Sequence, residues 1–208
     1  MHQVGQCYLS VASAVSHPAL LKAVSEIIEV GSQGYPYTTV LTGIESGSPK
    51  LIEALMPGKA WPFKPLAWPE VVEQGFGLLN DNHWVPTGML ILGLPEEREE
   101  DVYETISLVE RLKPYKSAFV PFLFKATSAL RQEQSFHIRD VMSYHLELMK
   151  AVFDHNAYWG NRLITEHAGT SSLTRWLPPM ASPIISWSVD RAYRKLFKEI
   201  NARASRMT

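Results

Sequence analysis

The amino-acid sequence predicts an α/β fold in which parallel strands alternate with helices. Short β-branched or apolar runs recur along the first 125 residues, and segments with the periodicity of amphipathic helices separate them. The chain has 208 residues, of which 46% are hydrophobic and 20% are charged, a composition typical of a folded protein with a buried core. Alternation of this kind is characteristic of a parallel sheet with right-handed crossovers.

The first strand-helix-strand unit is expected within residues 6–44. Residues 6–14 predict a strand, and a helix follows that is capped by Ser16, has Pro18 in its first turn and ends before Gly31. The buried face of this helix is predicted from its spacing to contain Leu20, Leu21, Val24, Ile27 and Ile28. Residues 38–44 are β-branched and apolar and therefore predict a buried strand.

Three further helices and two further strands are expected before residue 125. Helices are predicted over residues 49–55 and 69–79, and a third begins in the acidic stretch 96–101, where the helix dipole favours negative charge. Residues 89–92 and 117–124 are apolar runs that predict strands. Four strands therefore alternate with helices in this part of the chain.

The pattern changes after residue 125. Residues 140–159 and 189–204 predict amphipathic helices, and the Pro-, Ser- and Thr-rich residues 170–186 predict a loop. We therefore divide the chain into residues 1–125 and a helical C-terminal extension, residues 126–208. A complete (β/α)8 barrel needs about 250 residues, so the first part predicts a partial TIM-type barrel. Its open strand edges are expected to be covered by a missing N-terminal half or by a second copy.

Charge and cysteine content exclude several classes of function. Twenty basic and 21 acidic residues give a net charge of -1, which provides no general field for holding nucleic acid or an anionic membrane. Cys7 is the single cysteine, so the chain forms no internal disulfide, multi-cysteine zinc site or iron-sulfur cluster from its own thiolates. The sequence also lacks an apolar run of about 18–20 residues and a signal-peptide pattern, so we expect a cytoplasmic protein.

The segment GIESGS, residues 43–48, directly follows a predicted strand, and ligands of parallel α/β folds bind at the carboxyl ends of strands. The Glu45 carboxylate can accept hydrogen bonds from a ribose diol or an amino group. Ser46, Ser48 and nearby backbone N–H groups can donate to a carboxylate or phosphate. The same residues also suit a turn with a helix cap in which Glu45 pairs with a lysine, and the residues alone do not decide between the two.

The segment ILGLPE, residues 91–96, follows the next strand. Gly93 would let a flat ligand approach the backbone, and Ile91 could offer an apolar surface to an aromatic base. Taken alone, however, the segment is more typical of a strand that leaves the core through a Gly-Pro turn.

Four segments in this order resemble a known family. They are residues 42–49 (TGIESGSP), 56–63 (MPGKAWPF), 80–86 (NDNHWVP) and 90–96 (LILGLPE). Together they are similar to the later half of the radical S-adenosylmethionine (SAM) barrel, and most similar to members that carry an N-terminal cobalamin-binding domain. The resemblance covers about residues 5–125 and extends less firmly to residues 155–159.

The resemblance implies a set of contacts with SAM. Glu45 and Ser46 match positions beside the ribose or methionine part, Ile91 and Gly93 match positions beside the adenine, and Lys59 matches a partner for the SAM carboxylate. The cofactor-binding residues that we predict are Glu45, Ser46, Gly47, Lys59, Ile91 and Gly93.

The C-x-x-x-C-x-x-C motif, whose thiolates hold a 4Fe-4S cluster in this family, does not occur in the chain. The family's Gly-Gly-Glu segment and the Asp-x-His-x-x-Gly segment of the cobalamin domain do not occur either. The resemblance thus implies the C-terminal portion of a radical SAM enzyme that is inactive alone, with the cluster and cobalamin held elsewhere in full-length relatives. The alternatives are a non-catalytic assembly module that pairs through an open strand edge, and a phosphate-binding protein that uses the Gly47 loop. His145 and His155 are predicted to be structural.

Overall fold

A computed structural model describes residues 7–127 and 134–168, and the single positions 191, 194, 195, 198, 199 and 202. Four parallel strands form one sheet in the order β1-β2-β3-β4. The strands are β1 (Cys7–Tyr8), β2 (Thr38–Glu45), β3 (Trp84–Leu92) and β4 (Ala118–Leu123). The predicted α/β class is therefore confirmed.

Helices occupy every crossover between neighbouring strands. The helices of the described residues are α1 (Val11–Ser16), α2 (Pro18–Ile27), α3 (Pro49–Leu55), α4 (Trp68–Asp81), α5 (Glu99–Arg111) and α6 (Ser143–Ala168). Short 3-10 turns cover Pro57–Ala60, Pro65–Ala67 and Ile138–Asp140. Because the strand order is sequential, every crossover steps in the same direction, and crossovers of one hand place their helices on one face of the sheet.

The two faces of the sheet differ in what covers them. Ile44, Leu90 and Phe119 are buried in one core with residues of α1, α4, α5 and α6. The strand register places Met89 beside Val120 and Ile91 beside Phe122 on the opposite face. Val120 is 39% exposed and Phe122 is 50% exposed. The second face is therefore open across β4.

The prediction of a strand over residues 6–14 is wrong after Tyr8. Residues 11–16 form α1, and Ser10 caps this helix by accepting a hydrogen bond from the Ser13 N–H at 3.4 Å. Two alanines in a six-residue segment favour helix, and the serine provides the cap that a strand does not need. Ser16, predicted to cap the next helix, is instead the last residue of α1.

The predicted buried face of α2 is confirmed at Leu21 and is wrong at Leu20, Val24 and Ile27. Leu21 and Ser25 are the buried residues of this helix. Leu20 is 64% exposed and Ile27 is 79% exposed. The hydroxyl of Ser25 accepts a hydrogen bond from the indole N–H of Trp84 at 2.7 Å, which fixes the side of α2 that faces the sheet.

The C-terminal part of the described chain packs on the same core. Helix α6 begins at Ser143, after the 3-10 turn, and continues beyond the predicted end at residue 159. Leu148 and Val152 of α6 lie in the core that contains Ile44 and Phe119. The predicted loop 170–186 lies outside the described residues, and the described positions of the predicted helix 189–204 are helical. Among the described residues, every helix is too short or too polar to span a lipid bilayer.

Candidate functional site

The two segments singled out in the sequence lie at the same rim of the sheet. Strands β2 and β3 are parallel neighbours, and Glu45 at the end of β2 pairs in register with Leu90, three residues before Gly93. Both segments therefore follow the carboxyl ends of adjacent strands, which is where ligands bind in parallel α/β folds.

Glu45 forms an ion pair with Lys59. The Lys59 Nζ lies 2.7 Å from Glu45 Oε1, and the two side chains are 22% and 17% exposed, respectively. Glu45 has a φ of 66°, a left-handed conformation, and its side chain lies over Gly43. A Cβ at Gly43 would collide with the Glu45 carboxylate and lie 2.7 Å from Lys59 Nζ. The glycine therefore makes room for the ion pair.

The ion pair lines an open cavity of about 540 Å³ beside the ends of β1, β2 and β3. Its other walls include Tyr8, Ser10, Met56, Trp68 and Met89. A volume of this size lies within the range of small-molecule sites, which are mostly apolar with a few polar groups that orient the ligand. The pair offers a carboxylate for hydrogen-bond donors or cations and an ammonium group for anions.

Ser46 and Ser48 are directed into the protein, toward α5. The Ser46 hydroxyl lies 3.2 Å from the Thr105 hydroxyl and accepts the Ser48 N–H at 3.0 Å. The Ser48 hydroxyl donates to the Asp101 carboxylate at 2.7 Å. All four side chains are buried. These serines thus connect the end of β2 to the first turns of α5, and their hydroxyls are engaged in that connection.

Gly47 lies against the backbone of α5. Its N–H donates to the Thr105 hydroxyl at 2.9 Å, and a Cβ at this position would lie 2.6 Å from Thr105 Cα and 2.8 Å from the Glu104 carbonyl oxygen. The loop N–H is therefore used inside the protein, and the neighbouring Ser48 hydroxyl is bound to the Asp101 carboxylate, which also pairs with Lys50 at 3.8 Å. This arrangement gives no support to the phosphate-binding alternative.

An aromatic ring of the protein itself packs on Gly93. This glycine has a φ of +75°, and a Cβ there would overlap the Phe136 ring. Ile91 and Phe136 both pack on the cluster formed by Leu51, Leu94 and Phe124. The glycine does admit a flat group close to the backbone, as the sequence predicts, but Phe136 lies in that position.

Glu97, which directly follows the segment 91–96, joins this rim to α6. One oxygen of the Glu97 carboxylate accepts the Gly93 N–H at 2.7 Å and lies 3.1 Å from His145 Nε2. His145 Nδ1 accepts the Met142 N–H at 3.0 Å. The proton of a neutral His145 is therefore on Nε2, which donates to Glu97. Sequence reasoning missed the pair because no local pattern links residues 48 positions apart.

His155 of α6 is buried against Phe119 of β4. Its Nε2 lies 2.8 Å from the Ser117 hydroxyl, and its Nδ1 is buried without a hydrogen-bond partner. Desolvation lowers the pKa of His155 to about 4, so the side chain is neutral near pH 7. Within residues 7–127 and 134–168, no three side chains of the types that bind metals come together.

Neither a family model nor a curated protein matches the chain. The resemblance to radical SAM proteins therefore depends on the four sequence segments alone.

Proposed function

We propose that this chain is the C-terminal portion of a radical SAM enzyme and forms part of the SAM-binding wall and of the substrate-facing wall. The observation that carries the proposal is the position of Glu45 and Gly93 at one rim of a parallel sheet, where Glu45 lines the 540 Å³ cavity. These residues belong to two of the four segments on which the resemblance depends.

The topology supports the finer proposal of a partial TIM-type barrel. Sequential order of parallel strands is the order found in (β/α)8 barrels, and the sheet packs on helices through one of its faces. The other face, with Val120 and Phe122 exposed, corresponds in this proposal to the inner surface of the barrel. Doubly wound sheets differ, because their strand order reverses at a switch point and helices cover both faces.

The cavity fits part of SAM by charge. SAM carries a ribose diol, an amino group and a carboxylate, which match a carboxylate and an ammonium group at the end of β2. In this proposal Glu45 accepts hydrogen bonds from the diol or amino group and Lys59 binds the carboxylate. Ser46 and Gly47 position Glu45 through their hydrogen bonds to α5. Contact of adenine with Ile91 and Gly93 would require displacement of Phe136.

The 4Fe-4S cluster of the family does not fit this chain. Cys7 is the only cysteine in the sequence, and three thiolates are needed. In our proposal the cluster, and cobalamin where a relative uses it, are bound by another part of the complete enzyme. The chain alone then binds SAM weakly and performs no reductive cleavage.

A second candidate is a non-catalytic assembly module. It is favoured by the position of β1, which is the outer strand of the sheet and pairs with β2 alone in the part of the chain that the structure describes. The two candidates differ in their predictions for Glu45. A SAM-binding chain requires its carboxylate for binding, whereas an assembly module binds no ligand at the cavity.

The test is SAM binding to the isolated chain, measured by isothermal titration calorimetry. Glu45→Gln removes the charge that attracts the amino group, so we expect SAM affinity to fall at least tenfold. Glu53→Gln on the exposed side of α3 is the matched control and should leave affinity unchanged. If wild type does not bind SAM, or if both variants bind like wild type, the proposal is wrong.

A further inference from the structure

The backbone at Gly93 forms a cradle for a flat group. Gly93 has a φ of +75°, a conformation that favours glycine, and the absence of a Cβ leaves space that any other residue would fill. Its N–H donates to the Glu97 carboxylate at 2.7 Å, so this donor is already used. A group that lies in the cradle is therefore selected by its shape and its apolar contacts.

The ring that lies in the cradle belongs to Phe136. The three atoms nearest to a Cβ built on Gly93 are all atoms of the Phe136 side chain. Its ring centroid lies 5.0 Å from that of His145. The ring also packs on the apolar cluster formed by Leu51, Leu94 and Phe124. Phe136 is nevertheless only partly buried, and its departure from the cradle costs apolar contacts alone.

The cradle adjoins the cavity that Glu45 and Lys59 line. Met56 forms part of the cavity wall, and it also packs on the same apolar cluster as Phe136. A single flexible side chain therefore contacts both places. A ligand that reaches both would have its polar groups at the ion pair and a planar ring over Gly93.

The two ends of the candidate site differ in their occupancy. At the polar end, the ion pair faces an open cavity of about 540 Å³. At the ring end, Phe136 fills the position that a planar group of a ligand would take. A ligand that uses both ends must displace this ring, whereas a ligand that uses only the polar end need not.

We propose that Phe136 is an internal competitor for the planar ring of the ligand and thereby lowers the affinity of the site for nucleosides. The inference rests on the proposed function for the identity of the ligand, in which adenine is the planar ring. The state with Phe136 in the cradle does not accept the base. The apparent affinity is therefore reduced by the fraction of molecules in which the cradle is open.

A purely structural role of Phe136 predicts a different result. A phenylalanine that only fills an apolar cluster stabilises the fold, and its truncation lowers stability without changing what the neighbouring cavity binds. A truncated ring can also leave a space that binds small aromatic molecules by itself. The test therefore needs a ligand that uses both ends of the site, together with ligands that use one end each.

The test compares SAM, adenosine and L-methionine by isothermal titration calorimetry. We expect Phe136→Ala to raise the affinity for SAM and for adenosine at least tenfold, because the cradle is then open in every molecule. The affinity for L-methionine, which has no base, should not change. Phe153→Ala alters another partly exposed phenylalanine, on α6 and outside the cluster at Gly93, and should bind all three ligands like wild type.

A second variant keeps the test decisive if the alanine variant does not fold. Phe136→Leu retains an apolar side chain on the cluster and removes the flat ring, so the affinity for SAM and adenosine should rise by a smaller factor. Circular dichroism shows whether each variant is folded.

Three outcomes in a folded variant would overturn the role of Phe136. They are no gain for adenosine, a gain for adenosine without one for SAM, and an equal gain for L-methionine. Failure of the proposed function is recognised separately, because Glu45→Gln does not alter the ring position. Tighter nucleoside binding by Phe136→Ala, combined with normal SAM binding by Glu45→Gln, would refute the role of Glu45 and leave the competition by Phe136 intact.

Discussion

The imidazole of His145 on α6 donates a hydrogen bond to the Glu97 carboxylate at 3.1 Å, in the loop after β3. Both side chains are buried, and the same carboxylate oxygen accepts the Gly93 N–H at 2.7 Å. A single acidic side chain thus holds the rim of the candidate site and the C-terminal helix together. The position of Gly93, and of Phe136 packed on it, depends on this contact.

We expect Glu97→Ala to destabilise the fold. The substitution leaves the Gly93 N–H and the His145 Nε2–H buried without an acceptor, and an unpaired buried group costs about 1–3 kcal/mol. The free energy of unfolding, measured in urea, should therefore fall by about 1–3 kcal/mol relative to wild type. Glu96→Ala changes the exposed neighbour and should stay within about 0.5 kcal/mol of wild type. Equal stability of the two variants would contradict the role of Glu97.

Gly47→Ala should also destabilise the protein, for a steric reason. The new Cβ would lie 2.6 Å from Thr105 Cα and 2.8 Å from the Glu104 carbonyl oxygen, so the loop must move away from α5. Overpacking of this kind costs about 1–3 kcal/mol. Gly58→Ala is the control, because its Cβ would meet nothing within 4 Å. Thermal unfolding that is unchanged in Gly47→Ala would show that the loop is not packed as described.

The buried His155 predicts a pH dependence of stability. Desolvation lowers its pKa from 6.5 to about 4 in the folded state, so the unfolded state binds the proton first as the pH falls. The contribution of His155 to the free energy of unfolding is fully present above pH 6.5 and is lost progressively as the pH falls from 6.5 to about 4. His155→Gln removes this titration. In urea unfolding at several pH values, the free energy of unfolding should therefore fall less steeply with decreasing pH for the variant than for wild type. Equal slopes for the two proteins would refute the lowered pKa of His155.

Local signals in the sequence locate several elements well. Helix α3 has the predicted bounds, because Pro49 suits a first turn and Pro57 follows the last. Strand β2 extends the predicted residues 38–44 by one position. The predicted juxtaposition of Glu45 and Gly93 follows from strand order, since consecutive parallel strands end at the same rim.

What the sequence could not predict depends on contacts between distant segments. Periodicity identifies an apolar stripe on α2 but not which side meets the core, and Trp84 decides that by its hydrogen bond to Ser25. Likewise, the sequence shows that Ser46 has a hydroxyl but not that Thr105, 59 positions later, engages it. Glycine at position 93 predicts close approach by a flat group without revealing that the group is Phe136.

Asn156→Ala should expose the outer edge of β4. The variant leaves the N–H and C=O of Phe119 without the amide that now pairs with both, and a free strand edge promotes pairing with other chains. We expect self-association that wild type does not show at the same concentration, measured by sedimentation velocity. The backbone groups of Phe119, Pro121 and Leu123 point to this edge, and Pro121 has no N–H. Adding Leu123→Pro removes a second N–H and should reverse the association, because two of these three residues then lack a donor. Association that persists in the double variant would place the new contact elsewhere and show that Asn156 does not protect this edge.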